Sequence, residues 1–382
     1  MPTNPEDFQK SRRPWSRWKH EILIRYLEAM VAILRRAETV YCIDGFAGPG
    51  RYLDDNEEGS PLLAAKHAKD LVLTNKPYAL NCINVESDSS VFDNLEDSTS
   101  EYRTWVKNYC GVFGDHVGKI LDDISYKPAL FFLDPLGVKG LEWEKLVPVL
   151  ERRQTTELLI RFDTNAVLRH TGRDVSHHST FNAILGEDSS EYWQRYLVEC
   201  GKSSNARREC LSNAYEDKLR IHFDFVGRIP ILSAEDSLKY FLLYATRSAK
   251  GMQVMNDVFF AMQDLRDRTL DEEKLEHEKA IQLDMFEPSP EEKALGELRF
   301  LRKEVLEVLQ IVESVKRDEL RGRVASRADN FGRFSGSQFT AVLGGRPRAI
   351  TLHKDFVSLK SQIEFQSGGT PGNDKAIVSL KQ

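Results

Sequence analysis

Apolar residues near the start of the chain recur at helical spacing. Ile22, Leu23, Tyr26, Leu27, Met30, Ile33 and Leu34 share one face, which predicts an amphipathic helix over residues 20–36. The run Val40-Tyr41-Cys42-Ile43 follows at once and stops at Asp44. Further short apolar runs fall at 80–85, 105–113, 129–133 and 158–162, each separated by a polar or helix-compatible stretch of crossover length. That rhythm predicts a parallel sheet wrapped by helices, with ligands bound beyond the carboxyl ends of the strands. Two later runs, 221–231 and 238–245, flank Ser233-Ala234-Glu235-Asp236, a spacing suited to a hairpin. The expected fold is α/β: a doubly wound, Rossmann-like sheet that closes on an antiparallel terminal strand pair.

A length of 382 residues suits two domains, and 41% apolar residues suffice for a sizeable core. No apolar run approaches the length of a membrane span, and the first twenty residues lack the apolar stretch of a signal peptide, so a soluble, cytoplasmic protein is expected. The five cysteines show no C-x2-C spacing, which predicts reduced, buried thiols and no metal site. His170, His177 and His178 lie in a polar stretch with no carboxylate or cysteine at ligand spacing, and read as solvated.

The net charge of -6 hides a split. Residues 264–292 carry 11 acidic against 4 basic side chains, whereas residues 293–366 carry 14 Lys/Arg against 9 Asp/Glu, a net of +5. The division expected is a first domain over 1–263, an acidic linker over 264–292, a basic domain over 293–366 and a tail over 367–382.

Candidate chemistry collects where the strands end. The loop Asp44-Gly45-Phe46-Ala47-Gly48-Pro49-Gly50 lets the backbone turn sharply and approach a ligand with its amides, which suits an adenosine-containing molecule. The second strand ends at Glu86, a carboxylate able to accept both hydroxyls of a ribose. Glu86 lies 36 residues beyond Gly50, against about 20 in the dinucleotide fingerprint, which counts against NAD. Asp115 follows the third strand and is either an adenine contact or a helix cap. The fourth strand runs into Asp134-Pro135-Leu136-Gly137 and the fifth into Asp163-Thr164-Asn165, adding two carboxylates to the same opening. Between the glycine loop and the helix signal at Ser60-Pro61, residues 51–59 form a polar insertion. It is expected to be a solvated turn that keeps the helix start away from the ligand, with a lid as the alternative.

The ordered set of the glycine loop, Glu86, Asp115 and Asp134-Pro135 resembles the motifs of class I S-adenosylmethionine-dependent methyltransferases. More narrowly, WSRWKHEILIRYLEAM, YCIDGFAGPGRY, EEGSPLLA, LFFLDPLG and YFLLYATRSAKGMQVMNDV resemble the three-Cys-motif partner proteins, a bacterial family described as a methyltransferase-like domain followed by a winged helix. The resemblance spans residues 15–365. It implies S-adenosylmethionine as cofactor, held by Asp44, Gly45, Phe46, Ala47, Gly48, Gly50, Glu86 and Asp115, with Asp134, Pro135 and Asp163 at the reacting end. It also implies a three-Cys-motif protein encoded nearby as partner. One departure is that Leu136-Gly137 stand where base-modifying amino-methyltransferases carry a stacking aromatic residue.

In the basic segment, helices are expected at about 290–315, 318–328 and 337–342, and wing strands at 349–352 and 362–365, a pattern that fits a winged helix-turn-helix. Arg333, Arg346, Arg348 and Lys354 would then face nucleic acid, unless the module docks protein instead. The leading expectation is a methyltransferase acting on nucleic acid or a nucleotide-like acceptor. The alternatives are a non-catalytic accessory protein and a metal-dependent nucleotide-modifying enzyme using Asp134 and Asp163.

Overall fold

The computed structural model describes residues 14–52, 56–137, 139–169, 178–186, 199–200, 203–232, 237–278, 290–327, 330–346, 355–366 and 369–381. It divides into two compact units, Met1–Arg247 and Ser248–Gln382.

The first unit opens with helix α1 (Pro14–Ile33) and strand β1 (Thr39–Asp44). There follow α2 (Ser60–Leu73), β2 (Ala79–Glu86), α3 (Ser89–Thr99), β3 (Val106–Cys110), α4 (Phe113–Ile124), β4 (Ala129–Leu133), α5 (Trp143–Leu150) and β5 (Thr156–Phe162). Among the described residues, α6 (Thr164–Arg169), α7 (His178–Leu185) and α8 (Ser204–Arg220) come before β6 (Phe225–Leu232) and β7 (Leu238–Thr246). The strands form one sheet in the order β3-β2-β1-β4-β5-β7-β6. The first five are parallel, and β7 runs antiparallel to both β5 and β6. This is a Rossmann-like sheet with flanking helices. All five residues of β4 are buried, which explains its unbroken apolar sequence: a central parallel strand is covered on both faces. Because β1 pairs with β2 on one side and β4 on the other, the winding reverses there and opens a crevice above its carboxyl end.

Helix α1 is pinned to the sheet by a buried polar cluster. The Tyr26 hydroxyl bonds to Glu157 of β5 and lies 2.5 Å from that of Tyr244 on β7, while Thr246 donates to Glu157 at 3.1 Å. Burial pushes the Glu157 carboxyl above its usual range, opposed by these hydrogen bonds.

The second unit contains α9 (Ala249–Glu278), α10 (Pro290–Ile311), β8 (Ser314–Lys316), α11 (Arg317–Ala325), α12 (Gly336–Val342), β9 (Ile363–Phe365) and β10 (Ile377–Leu380). Its antiparallel sheet has the order β8-β10-β9.

Several expectations are corrected. The boundary falls at Arg247/Ser248 instead of 263/264. Gln253 and Asn256 of α9 donate to the carbonyls of Asp318 and Phe334, and Asp257 pairs with Arg321, so this helix belongs to the second unit. The expected acidic linker begins as helix, since α9 continues to Glu278. The expected tail contains β10, the middle strand of its sheet, with Val378 fully buried. Residues 221–224 are not strand; β6 begins at Phe225. Cys200 and Cys210 are joined in a disulfide, with Cα atoms 5.5 Å apart, whereas Cys42, Cys82 and Cys110 are free. The expected wing strand at 349–352 and the His170 and His177 positions lie outside the described residues. No helix among the described residues is long and apolar enough to cross a membrane.

A charge at Val378 has no compensating partner in the middle strand. Val378→Asp is therefore expected to cost the second unit about 3 kcal/mol and to abolish amide protection in β8–β10, read by hydrogen exchange; retained protection would show that β10 is dispensable.

Candidate functional site

A cavity of about 590 Å³ opens at the carboxyl ends of β1, β2 and β4, within the size range of small-molecule sites. Its wall includes Gly45, Gly48 and Gly50 after β1, Glu86 at the end of β2 and Asp134 after β4. Parallel strands deliver these ends to one edge, and so residues far apart in sequence meet there.

The loop after β1 is shaped from behind. Asp44 is buried and absent from the cavity wall; its Oδ1 accepts from the Phe46 amide at 3.1 Å and its Oδ2 from the Ser60 hydroxyl at 2.6 Å. Burial raises its pKa to about 7, with the Ser60 and Phe46 hydrogen bonds pulling the other way. Gly48 and Gly50 have φ of +65° and +78°, a region that L side chains rarely adopt, and a Cβ on Gly50 would stand 2.8 Å from that of Ser98. The Gly48 amide donates to Glu86 Oε2 at 2.9 Å, and the Asp88 amide donates to Oε1 at 2.8 Å. Oε1 also accepts a long contact from the Ser87 hydroxyl at 3.5 Å, and Oε2 keeps acceptor capacity for a ribose hydroxyl.

The 51–59 insertion does not separate α2 from the cavity as expected. Tyr52 donates its amide to the Glu57 carbonyl at 2.9 Å, Arg51 pairs with Glu58 at 3.1 Å, and Gly59 closes the base on Gly50 at 2.7 Å. These contacts return Gly59 and Ser60 to the cavity wall, which also includes Arg51 and Tyr52. Gly59, not Ser60, is the N-cap of α2; the Ser60 hydroxyl goes to Asp44.

Charge at the end of β4 is compensated by residues that the strand pattern did not single out. Lys19 of α1 is ion-paired with Asp134 Oδ2, and Arg161 of β5 stands 3.6 Å from Asp134 Oδ1 and 3.6 Å from Asp163 Oδ2. The guanidinium of Arg161 stacks over Tyr240 at 4.7 Å. Burial lowers the Lys19 pKa, and the Asp134 charge opposes that. A signal for Lys19 was present: it lies four residues before Leu23, on the buried stripe of α1, where an unpaired charge would be costly. His20 also lines the cavity, beside the expected set. Arg161, one inward-facing charge in a strand, carried no comparable pattern.

Of the other expected positions, Phe46 and Ala47 are on the wall. Asp115 is not: it is exposed in the first turn of α4 and accepts from Lys145 at 2.9 Å, which holds its carboxyl below the usual range. Pro135 is buried behind the wall, where Leu136 takes its place with half its surface exposed. Asp163 caps α6, accepting from the Ala166 amide at 2.9 Å, and Asn165 donates to the carbonyls of Leu238 and Lys239. Asp134 and Asp163 thus share Arg161 instead of converging on a common point; no group of three His, Cys, Asp or Glu suited to a metal occurs among the described residues. In the second unit Arg333 is paired with Glu297 at 2.8 Å and stacked 3.7 Å over Phe300, while Arg346 is exposed. Arg348 and Lys354 lie outside the described residues.

Solved structures similar to this chain include the O-methyltransferase TomG from Streptomyces achromogenes in complex with SAM, at 14% identity over 60% of this chain and 79% of that one, TM-score 0.33. An O-methyltransferase from Bacillus cereus in complex with SAH is 10% identical over 63% and 94%, TM-score 0.30. An RNA methyltransferase from Salinibacter ruber in complex with S-adenosyl-L-homocysteine is 14% identical over 37% and 74%, TM-score 0.23. No protein-family model matches the chain, and no curated protein matches it by sequence.

Asp44 generates a pH prediction. Its folded pKa of about 7 stands above the ordinary 3.8, so the folded chain keeps a proton that the unfolded chain releases on passing pH 4. The stability this contributes is present at low pH and is lost as pH rises toward 7. Asp44→Asn, a mimic of the protonated form, is expected to gain on the natural chain between pH 5 and pH 8 in urea midpoint; a constant difference would refute the assignment.

Proposed function

We propose that the first unit binds S-adenosylmethionine across the ends of β2, β1 and β4 and transfers its methyl group to an acceptor entering past Arg51 and Tyr52. The observation that carries this reading is Glu86, which gathers the Gly48 and Asp88 amides at the edge of a cavity lying at the switch point of the sheet. In this reading Glu86 accepts the ribose hydroxyls, and the backbone of Gly45 to Gly50 lies close along the ligand. Val112 and Phe113, also on the wall, offer apolar surface for the adenine; Asp115 does not take part. The bound group supplies an electrophilic methyl; the chain supplies placement, because in-line transfer needs an aligned acceptor more than covalent assistance. In this reading Asp134 lies at the reacting end, held by its cations, with Pro135 behind it as support and Asp163 as a cap of α6 and partner of Arg161.

From α10 onward the order helix, strand, helix, helix and two strands, with the third strand between the other two, supports a winged helix, which α9 precedes. Nucleic acid or a nucleotide-like molecule is the acceptor class we favour, with a three-Cys-motif protein as partner. Pairing of Arg333, Arg317, Arg321 and Arg327 to acidic side chains favours a second reading of this unit, as a protein-docking module.

Calorimetry on the full chain tests the cofactor reading. S-adenosylmethionine and S-adenosylhomocysteine are expected to bind, and Glu86→Ala to weaken both at least about tenfold, the scale of one charge-assisted hydrogen bond. Absence of binding by either molecule would end the proposal.

A further inference from the structure

The ion-paired group under the cavity has a consequence for which ligand the site holds. Asp134 is on the wall, but both its oxygens are matched by cations, Oδ2 by Lys19 and Oδ1 by Arg161 at 3.6 Å. The charged groups around this point come from three elements besides the β4 end. Helix α1 brings Lys19, β1 brings Asp44, which bears electrostatically on Lys19, and β5 brings Arg161 with Asp163 just beyond its end. Tyr240 of β7 covers the guanidinium. Lys19 and Asp134 are 5% and 13% exposed in their side chains. Water therefore screens them little, and removing one member leaves a charge that a ligand in the cavity feels.

We infer that Lys19 sets how strongly this site distinguishes a positively charged sulfonium ligand from its neutral thioether counterpart. The inference rests on the cofactor reading above. Adjacent strands are about 4.8 Å apart, so the ends of β2 and β4, either side of β1, are separated by about 10 Å. A nucleoside anchored at Glu86 and extending over β1 brings its 5′-sulfur toward Asp134. Lys19 and Arg161 balance Asp134 and Asp163, and Lys139 on the same wall adds a further cation, so that end of the cavity carries no net negative charge from these groups and gives the sulfonium little advantage. Lys19 is thereby a specificity-determining residue: it holds Asp134 in position while cancelling the attraction that a bare carboxylate would exert on a sulfonium. In the proposed cycle it limits discrimination between the methyl donor and the demethylated product.

The readout is the ratio of the dissociation constants of S-adenosylmethionine and S-adenosylhomocysteine, which differ in this charge and in the methyl group that creates it; contacts of the methyl are common to every variant and cancel when their ratios are compared. Calorimetry of the full chain is run on the natural protein and on Lys19→Met, Lys19→Arg and Asp134→Asn. Lys19→Met is expected to shift the ratio toward S-adenosylmethionine by roughly fivefold or more, the scale of one unscreened charge across several ångströms. Lys19→Arg should restore the natural ratio, and Asp134→Asn, which leaves a cation uncompensated, should shift it the other way. A simple packing defect would weaken both ligands together and leave the ratio unmoved. A Lys19→Met ratio within about twofold of the natural one overturns the inference while leaving the cofactor reading intact. If that variant does not fold by circular dichroism, an unmoved ratio in Asp134→Asn does the same. Failure of the natural chain to bind either ligand overturns both.

Discussion

A carboxylate at the end of a strand buried along its whole length must be compensated from within the protein. β4 is such a strand, and Asp134 follows it directly. A buried ion pair adds little net stability, because desolvation offsets attraction, yet removing one partner is severe. The fold meets this demand by laying α1 over the sheet so that Lys19 reaches Asp134 and Tyr26 reaches Glu157. One helix thus answers two carboxylates of the sheet, the buried Glu157 and the half-buried Asp134, and in doing so becomes a wall of the cavity through His20.

Behind the glycine loop the same economy appears with hydrogen bonds. Asp44 holds the Phe46 amide and the Ser60 hydroxyl, and Gly59 returns to Gly50, so the glycine loop and the start of α2 are tied at one point. Glu86 ties the loop to β2 through Gly48. The cavity is consequently framed by backbone whose position is set from inside the protein, as a site requires if its amides are to stand ready without reorganisation.

In the second unit, net charge and surface chemistry part company. The segment is basic by composition, but much of that charge is turned against internal acids: Arg317 to Asp374, Arg321 to Asp257, Arg327 to Glu304 and Glu307, and Arg333 to Glu297. Arg317 and Arg321 are buried. A count of +5 over residues 293–366 says nothing of such pairing, since Asp257 and Asp374 lie outside that interval.

The order of strands and helices, the glycine turn and Glu86 were legible in the chain because each depends on local periodicity or on backbone freedom, both written in consecutive residues. Lys19 was half legible, as a charge on an apolar stripe; its partner was not. Pairing across 115 residues, the Asp115–Lys145 contact that draws Asp115 off the wall, the Gly59–Gly50 bond that brings Ser60 back and the strand formed by Ile377–Leu380 all depend on which segments become neighbours. Periodicity determines which side of an element is buried. What that side meets, and therefore whether a carboxylate faces a ligand, a lysine or a helix end, was decided only when the sheet was assembled.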